Sequence, residues 1–165
     1  KDHPITDLYF HPYLSGERTP HNDAGARGGF IGLRRAHDAG DRMLAAMQGV
    51  PFARVDALEV LTKAGVSPDQ LIATGGGANN HDGLRLIASL SDYPLAVPEQ
   101  SDQGAALGAA RLAALSTGRR LDDICQPPSI QAIIQPDEAT HATLHQMHDK
   151  SRQLFQAIRP LYGPQ

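Results

Sequence analysis

Hydrophobic residues recur at three- and four-residue steps after Asp41, and this spacing predicts the first long helix of the chain. Such a pattern is typical of an amphipathic helix, which we expect to run to about Ala64. Asp41 is predicted to be its N-cap, and Gly65 is predicted to follow its C-terminus as the C′ residue. Pro51 removes one backbone hydrogen bond and should bend this helix.

Two short apolar runs, QLIAT (70–74) and PLAVP (94–98), predict strands that alternate with helices. The first run is predicted to be a buried strand, because turn residues flank it on both sides. Apolar spacing then predicts a second helix from Asn80 to about Ser91, and an alanine-rich stretch predicts a third helix from Gly104 to Leu115. Helices and strands in strict alternation with tight joints predict an α/β fold with parallel strands.

The two ends of the chain differ from this core. Prolines and glycines crowd the first forty residues, which we expect to be a long loop with one short strand in GGFIGL (28–33). Long loops inside a domain are usually functional or bound to a partner. Towards the other end, CQPPSIQAIIQP (125–136) is predicted to be a linker, and 138–160 a last helix. The predicted regions are a loop region 1–40, an α/β core 41–118, and a linker with a helix 119–165.

Composition narrows the possible functions. The 165 residues suffice for one domain, and a net charge of −3 gives no footprint for nucleic acid. No apolar stretch reaches the roughly 20 residues that span a bilayer. Cys125 is the only cysteine, which favours a reducing compartment, and we expect a cytoplasmic protein. The opening KDHPITDLYF has neither an initiator Met nor a secretory leader, so we expect that the sequence starts partway through a longer chain.

The stretch TGGGANN (74–80) lies where the first predicted strand passes into a helix. Glycines without Cβ atoms permit positive φ and let a ligand approach the backbone closely, as nucleotide sites require. The stretch is neither a P-loop nor a GxGxxG fingerprint. A tight β–α turn is the alternative interpretation. Asn79 and Asn80 are suited either to cap the following helix or to hydrogen-bond a base.

Three further stretches hold candidate residues. In SDQGAALGAARLAA (101–114), small residues predict close packing of the third helix on its neighbours, with Asp102 as its N-terminal cap. The polar loop 17–23 is either solvated or held in place by its apolar flanks for contact with a ligand or partner. Histidines 141, 145 and 148 share one helix face, which we expect to be solvent-exposed rather than a metal site, because the HExxH glutamate is missing.

Four segments in order resemble the C-terminal half of the FGGY carbohydrate kinases. They are FHPYLSGERTPHNDAGARGGFIGL, MQGVPFARVDALEVL, TGGGANN and DQGAALGAARLAA, within Tyr9 to Leu115. The resemblance implies part of the C-terminal actin-like ATPase (ribonuclease H-like) domain of a sugar kinase. In such kinases ATP and the sugar bind in the cleft between two domains, and the polar loop 17–23 is expected near that cleft.

The resemblance also implies site residues. Gly75, Gly76, Gly77 and Ala78 would line the adenosine of ATP, and Asn80 falls where related glycerol kinases place an adenine-contacting asparagine. The general-base aspartate, the phosphate loops and most sugar contacts would precede the matched region. We therefore expect no catalytic residue and no metal ligand in this chain, although Mg²⁺ would bridge the ATP phosphates in the whole enzyme.

Within the family, the resemblance favours members that phosphorylate the 5-hydroxyl of D-xylulose. Kinases of ribulose, fuculose or gluconate are the alternative, and a non-catalytic nucleotide-binding or interaction module is another. The expected partners are the sugar, the missing N-terminal domain and, as a further option, a second copy in a homodimer. The sheet should have an open edge. Gly83 stands where the family often has a tryptophan, and Pro51 where it usually has a small residue.

Overall fold

The computed structural model describes residues 5–163, and of Gln103 it describes only the backbone. This part of the chain contains two small β-sheets and five α-helices. The predicted regions 1–40 and 119–165 therefore extend, at their outer ends, beyond the described residues. The strands are β1 (Tyr9–His11), β2 (Gly29–Ile31), β3 (Leu71–Ile72), β4 (Leu95–Pro98) and β5 (Ile130–Ile134). The helices are α1 (Ala39–Lys63), α2 (His81–Ser91), α3 (Gly104–Ser116), α4 (Leu121–Ile124) and α5 (Glu138–Ile158).

Helix α1 begins earlier than predicted and ends where predicted. Its N-cap is Asp38, not Asp41, because the two aspartates form a capping box in which each carboxylate accepts the other's backbone N–H. At the other end, Gly65 has a φ of +93° and donates its N–H to the Thr62 carbonyl, while the Val66 N–H reaches the Leu61 carbonyl. This is a Schellman motif, and it confirms Gly65 as the C′ residue.

The N-terminal segment packs tightly across α1. A Cβ atom on Gly49 would lie 2.0 Å from the carbonyl oxygen of Phe10 in β1, so only glycine fits at this crossing. Beside it, the Gln48 side chain accepts a hydrogen bond from the Thr6 N–H at 2.7 Å and donates one to the Thr6 carbonyl at 3.1 Å. The helix continues through Pro51, which is buried.

The segment 28–33 does contain a strand, β2, but its antiparallel partner β1 lies in a stretch that was predicted to be loop. The predicted linker 125–136 is also wrong in part, because it contains β5. The prolines of that segment flank the alternating run SIQAII rather than interrupt it, so the run is free to pair with β4. Strands β3 and β4 are parallel as predicted, whereas β5 is antiparallel to β4.

Strand β3 forms one edge of the three-stranded sheet, whose order is β3-β4-β5. Within the described part of the chain β3 pairs with β4 alone, so the predicted open edge is present. The prediction of a buried strand is wrong for Ile72, which is 51% exposed. By contrast, all four residues of the central strand β4 are buried.

Two hydrophobic clusters hold the helices and the sheet together. One joins Leu95 and Val97 of β4 to Leu84 and Ala88 of α2, and the other joins α1, α2 and α5. The small residues of α3 do not pack closely as predicted: none of its residues is buried, and Leu112 is 69% exposed. The short helix α4 contacts α3 but leaves Leu107 and Leu112 exposed.

The histidines of α5 do not form the exposed face that the sequence predicts. His148 is buried and its Nε2 lies 2.9 Å from the Asp56 carboxylate on α1. His145 is half-buried, and His141 lies 2.9 Å from Asp92 at the end of α2. The prediction failed because α5 packs against α1 and α2 on the face that carries these residues.

Candidate nucleotide-binding surface

Gly75, Gly76 and Gly77 lie in a tight turn between β3 and α2, with their backbone facing open space. Gly75 has a φ of +85° and starts a 3-10 turn that covers Gly76–Asn79. A Cβ atom built on any of the three glycines would meet no atom within 4 Å. The turn is therefore a bare main-chain surface that a flat ligand can approach closely.

Ala78 and Asn80 have different positions from the glycines. Ala78 as a whole residue is only 2% exposed and packs in the core with Leu84, so it supports the surface from below and offers a ligand almost no area of its own. Asn80 is the N-cap of α2, where its Oδ1 accepts from the Gly83 N–H at 3.1 Å. Its Nδ2 has no partner among residues 5–163, which leaves both N–H donors of the amide available.

Gly83 packs closely against this cap. A Cβ atom there would lie 3.0 Å from the Asn80 Nδ2 and 3.2 Å from its Cγ. A larger residue at position 83, such as tryptophan, would therefore require the capping amide to shift by a few tenths of an ångström.

A second β–α turn lies directly beside the first. The Gly75 N–H donates to the Ser101 carbonyl at 2.6 Å, and a Cβ atom on Gly104 would lie 3.8 Å from that of Thr74. Both turns follow the carboxyl ends of the parallel strands β3 and β4, where open α/β sheets bind their ligands. Ser101 was not among the predicted site residues, although the predicted parallel order of the two strands already implied that these turns are neighbours.

The polar loop 17–23 is closed and anchored. Glu17 and Asp23 exchange two backbone hydrogen bonds of 2.8 and 2.7 Å, and the Asp23 carboxylate accepts from Ala26 N–H and, at 2.6 Å, from Arg159 Nε. His21 stacks on Phe155 of α5, with 4.3 Å between the ring centroids. An open cleft of about 840 Å³ lies between this loop and α1. The loop is thus held in place, while its position near an interdomain cleft stays a prediction.

A buried ion-pair network joins α1 to α5. Burial alone would raise the pKa of the Asp56 carboxyl, but hydrogen bonds from His148 and Arg152 outweigh it and lower that pKa. Arg152 also contacts Glu59, and its Nε lies 2.6 Å from Asp56. The cluster's charges are therefore paired, and we assign this network to stability.

Two aromatic neighbours of the network have shifted acidities. Burial lowers the pKa of the His11 imidazole, and burial raises the pKa of the Tyr13 phenol. His11 Nε2 lies 3.1 Å from the Ser151 carbonyl, whereas its Nδ1 is buried without a partner among the described residues. His11 is therefore held in its neutral form, hydrogen-bonded to the backbone of α5.

No helix of the described part combines the length and the apolar character that crossing a bilayer requires.

Comparison with known proteins identifies the family. The sequence profile of the FGGY family of carbohydrate kinases, C-terminal domain, matches residues 1–117. The chain therefore belongs to this family of carbohydrate kinases.

Individual relatives agree with this assignment. The xylulose kinase of Escherichia coli (strain K12) is 33% identical over 162 residues, which cover 97% of this chain and 34% of that protein. The crystal structure of a "xyloylose kinase" from Brucella ovis has a TM-score of 0.84 and 39% identity, covering 96% of this chain and 34% of that one. Gluconate kinase from Lactobacillus acidophilus has a TM-score of 0.76 and 32% identity, covering 94% and 32%.

These relatives confirm the predicted fold class, the actin-like ATPase fold of the sugar kinases, with helices packed on the sheets. The chain spans about a third of the length of the relatives it matches.

Proposed function

We propose that this chain is the C-terminal, adenosine-binding part of an ATP-dependent kinase that phosphorylates D-xylulose at its 5-hydroxyl. The observation that carries the proposal is the uncovered backbone of Gly75 to Gly77 at the carboxyl ends of two parallel strands. Members of the family are carbohydrate kinases, and the matched relatives include xylulose kinases from several bacteria. The proposed location is the cytoplasm, because the only cysteine of the sequence, Cys125, is free and such cysteine usage is typical of a reducing compartment.

The glycine turn fits a purine nucleoside. Gly76 and Gly77 are exposed and carry no side chain that would hold an aromatic base away from the main chain. Asn80 Nδ2 would donate to the ligand while Oδ1 keeps the cap of α2. Ala78 fixes the turn to the core from below.

Phosphoryl transfer needs groups on both sides of a cleft, because catalysis depends on positioning and on neutralising the charge of the transferred group. Within the described residues we assign no general base and no ligand to Mg²⁺. In the whole enzyme this ion would bridge the ATP phosphates and neutralise charge. This chain would bind and orient the adenosine, and we expect no turnover from it alone.

The rest of the kinase is the proposed main partner. The α3 surface and the free edge of β3 expose apolar side chains, including Leu107, Leu112 and Ile72, which a neighbouring part of the protein would cover. A homodimer is the alternative cover for the same surface.

Gluconate is the second candidate substrate, because the gluconate kinase of Lactobacillus acidophilus matches the chain nearly as well as the xylulose kinases do. The direct test is an assay of the full-length enzyme with ATP and a panel of D-xylulose, ribulose, fuculose and gluconate. We expect fastest turnover with D-xylulose. Faster turnover with gluconate would show that gluconate, and not D-xylulose, is the substrate. Nucleotide binding without any turnover would indicate a non-catalytic module.

A further inference from the structure

Two groups of histidine and carboxylate side chains in the described part of the chain lie close enough together to share a metal ion. They are Asp92 with His141 and His145, and Asp56 with Glu59 and His148. In the second group the Arg152 guanidinium already contacts both carboxylates, so a cation would face a fixed positive charge. Among residues 5–163, no lysine or arginine forms an ion pair with Asp92. Only the first group is therefore suited to a cation.

The backbone sets the three side chains of this group at the junction of α2 and α5. His141 and His145 are four residues apart on α5 and so share a face, with 4.3 Å between their ring centroids. Asp92 is the C-cap of α2 in the left-handed conformation, with a φ of 60°. One ligand atom from each residue lies within 4.8 Å of the other two.

The separation between His141 and Asp92 is close to that of two ligands in a filled metal site. Ligands at the usual zinc distances of roughly 2.0–2.2 Å in a tetrahedron lie about 3.4 Å from one another. His141 Nε2 and Asp92 Oδ1 are 2.9 Å apart, joined by a hydrogen bond, and would separate by about 0.5 Å to admit an ion. The Nε2 proton in that bond would move to Nδ1, so the imidazole stays neutral as a ligand.

His145 supplies the second indication. Its Nε2 is buried and has no hydrogen-bond partner among the described residues. Buried polar atoms are nearly always satisfied by a partner, a water or an ion, so this ring nitrogen needs an explanation. A metal ion bound by the His145 ring would fix its tautomer and give the buried nitrogen a defined role.

We propose that Asp92, His141 and His145 form a Zn²⁺ site that joins the C-terminus of α2 to α5. Two imidazoles and one carboxylate suit zinc, and a water molecule would complete the tetrahedron. The His141 and Asp92 side chains are 42% and 64% exposed, so the ion has access from solvent on their side of the site. The site lies at the far end of α2 from the glycine turn, and it is independent of the proposed nucleotide surface.

The test is a calorimetric titration of the metal-stripped full-length protein with ZnCl₂, together with thermal unfolding. We expect one ion per chain and a rise in Tm of about 5–10 °C at a hundredfold excess over Kd, because the ion binds only the folded chain. His141→Ala and His145→Ala should each weaken binding at least tenfold. Asp92→Gly is the safer variant for folding, because glycine is preferred at a left-handed C-cap, and it should weaken zinc binding similarly.

His81→Ala is the matched control, since His81 is exposed and begins α2 at the opposite end from Asp92. It should bind zinc like the unaltered chain. X-ray absorption should show nitrogen and oxygen ligands only. The proposal is overturned by a lack of saturable binding, by equal binding in Asp92→Gly and the two histidine variants, or by a sulfur ligand, which would point to Cys125.

Discussion

The crossing of β1 over α1 predicts that Gly49→Ala destabilises the chain, although alanine favours helices. The new Cβ atom would lie 2.0 Å from the Phe10 carbonyl oxygen and 3.0 Å from its carbon. Distances under 3.0 Å are essentially never seen for Cβ atoms, so β1 or α1 would have to move by about 1 Å. The obstacle is main chain and cannot change rotamer.

The magnitude follows from two opposing effects. Overpacking a tight contact costs about 1–3 kcal/mol, and the backbone clash puts this site near the upper end. The higher helix propensity of alanine relative to glycine stabilises the variant by about 0.8–1 kcal/mol. The net loss should be about 2 kcal/mol, which lowers Tm by roughly 4–8 °C for a chain of this size.

Urea denaturation of the unaltered chain, Gly49→Ala and Gly108→Ala tests the sign as well as the size. Gly108 lies inside α3, where a Cβ atom would meet no atom within 4 Å. Gly108→Ala should therefore gain up to about 1 kcal/mol. If Gly49→Ala is as stable as Gly108→Ala, β1 does not cross α1 as described.

Three further measurements test the ion-pair network, the buried imidazole and the cap of α2. Asp56→Ala should lower the free energy of unfolding by about 3–5 kcal/mol in a denaturant titration, because it leaves buried partners unpaired. Asp149 is exposed, so Asp149→Ala should lower it only a little, and equal losses in the two variants would contradict the network. Burial lowers the pKa of His11, so as the pH falls the unfolded state binds a proton at a higher pH than the folded state does. Stability should therefore decrease as the pH is lowered from 7 to 5, by at most about 1.4 kcal/mol per pH unit for this group. His11→Gln should flatten that decline, and an unchanged profile would exclude His11 as a cause. Asn80→Ala should cost about 1 kcal/mol and Asn79→Ala less, by thermal unfolding, since only Asn80 caps α2; the reverse order would contradict the cap.

The helices were predictable because their signals are local. Apolar spacing and a glycine stop define α1 and its end at Gly65, and an asparagine followed by apolar periodicity defines α2. The N-cap of α1 was assigned one turn too late because a capping box contains two aspartates, and sequence alone does not rank them.

The strands β1 and β5 were missed for a different reason. Each is short and proline-flanked, and each becomes a strand only by pairing with β2 or β4. Strand propensity depends on such context more than helix propensity does. The burial of His148 likewise depends on Asp56, 92 residues earlier, and no local signal carries it.

The position of the glycine turn in the sequence was predictable, but the residues that surround it in the structure were not. The residues TGGGANN locate a β–α turn, but the neighbouring Ser101 carbonyl and the buried side of Ala78 come from the sheet. The predicted close packing of α3 was wrong for the described residues. Small residues on a helix indicate a close neighbour, but they do not show whether that neighbour lies within these residues.

The most direct test of the account is the ATP dependence of the full-length enzyme carrying Gly76→Val, with Gly29→Val as the matched control. Both positions have open space around the added Cβ atom, so both variants should fold. We predict that Gly76→Val raises the KM for ATP at least about tenfold, equivalent to about 1.4 kcal/mol of lost binding, with the sugar KM nearly unchanged. An unaltered ATP KM in Gly76→Val, or the same increase in Gly29→Val, would contradict the proposal that adenosine lies on this turn.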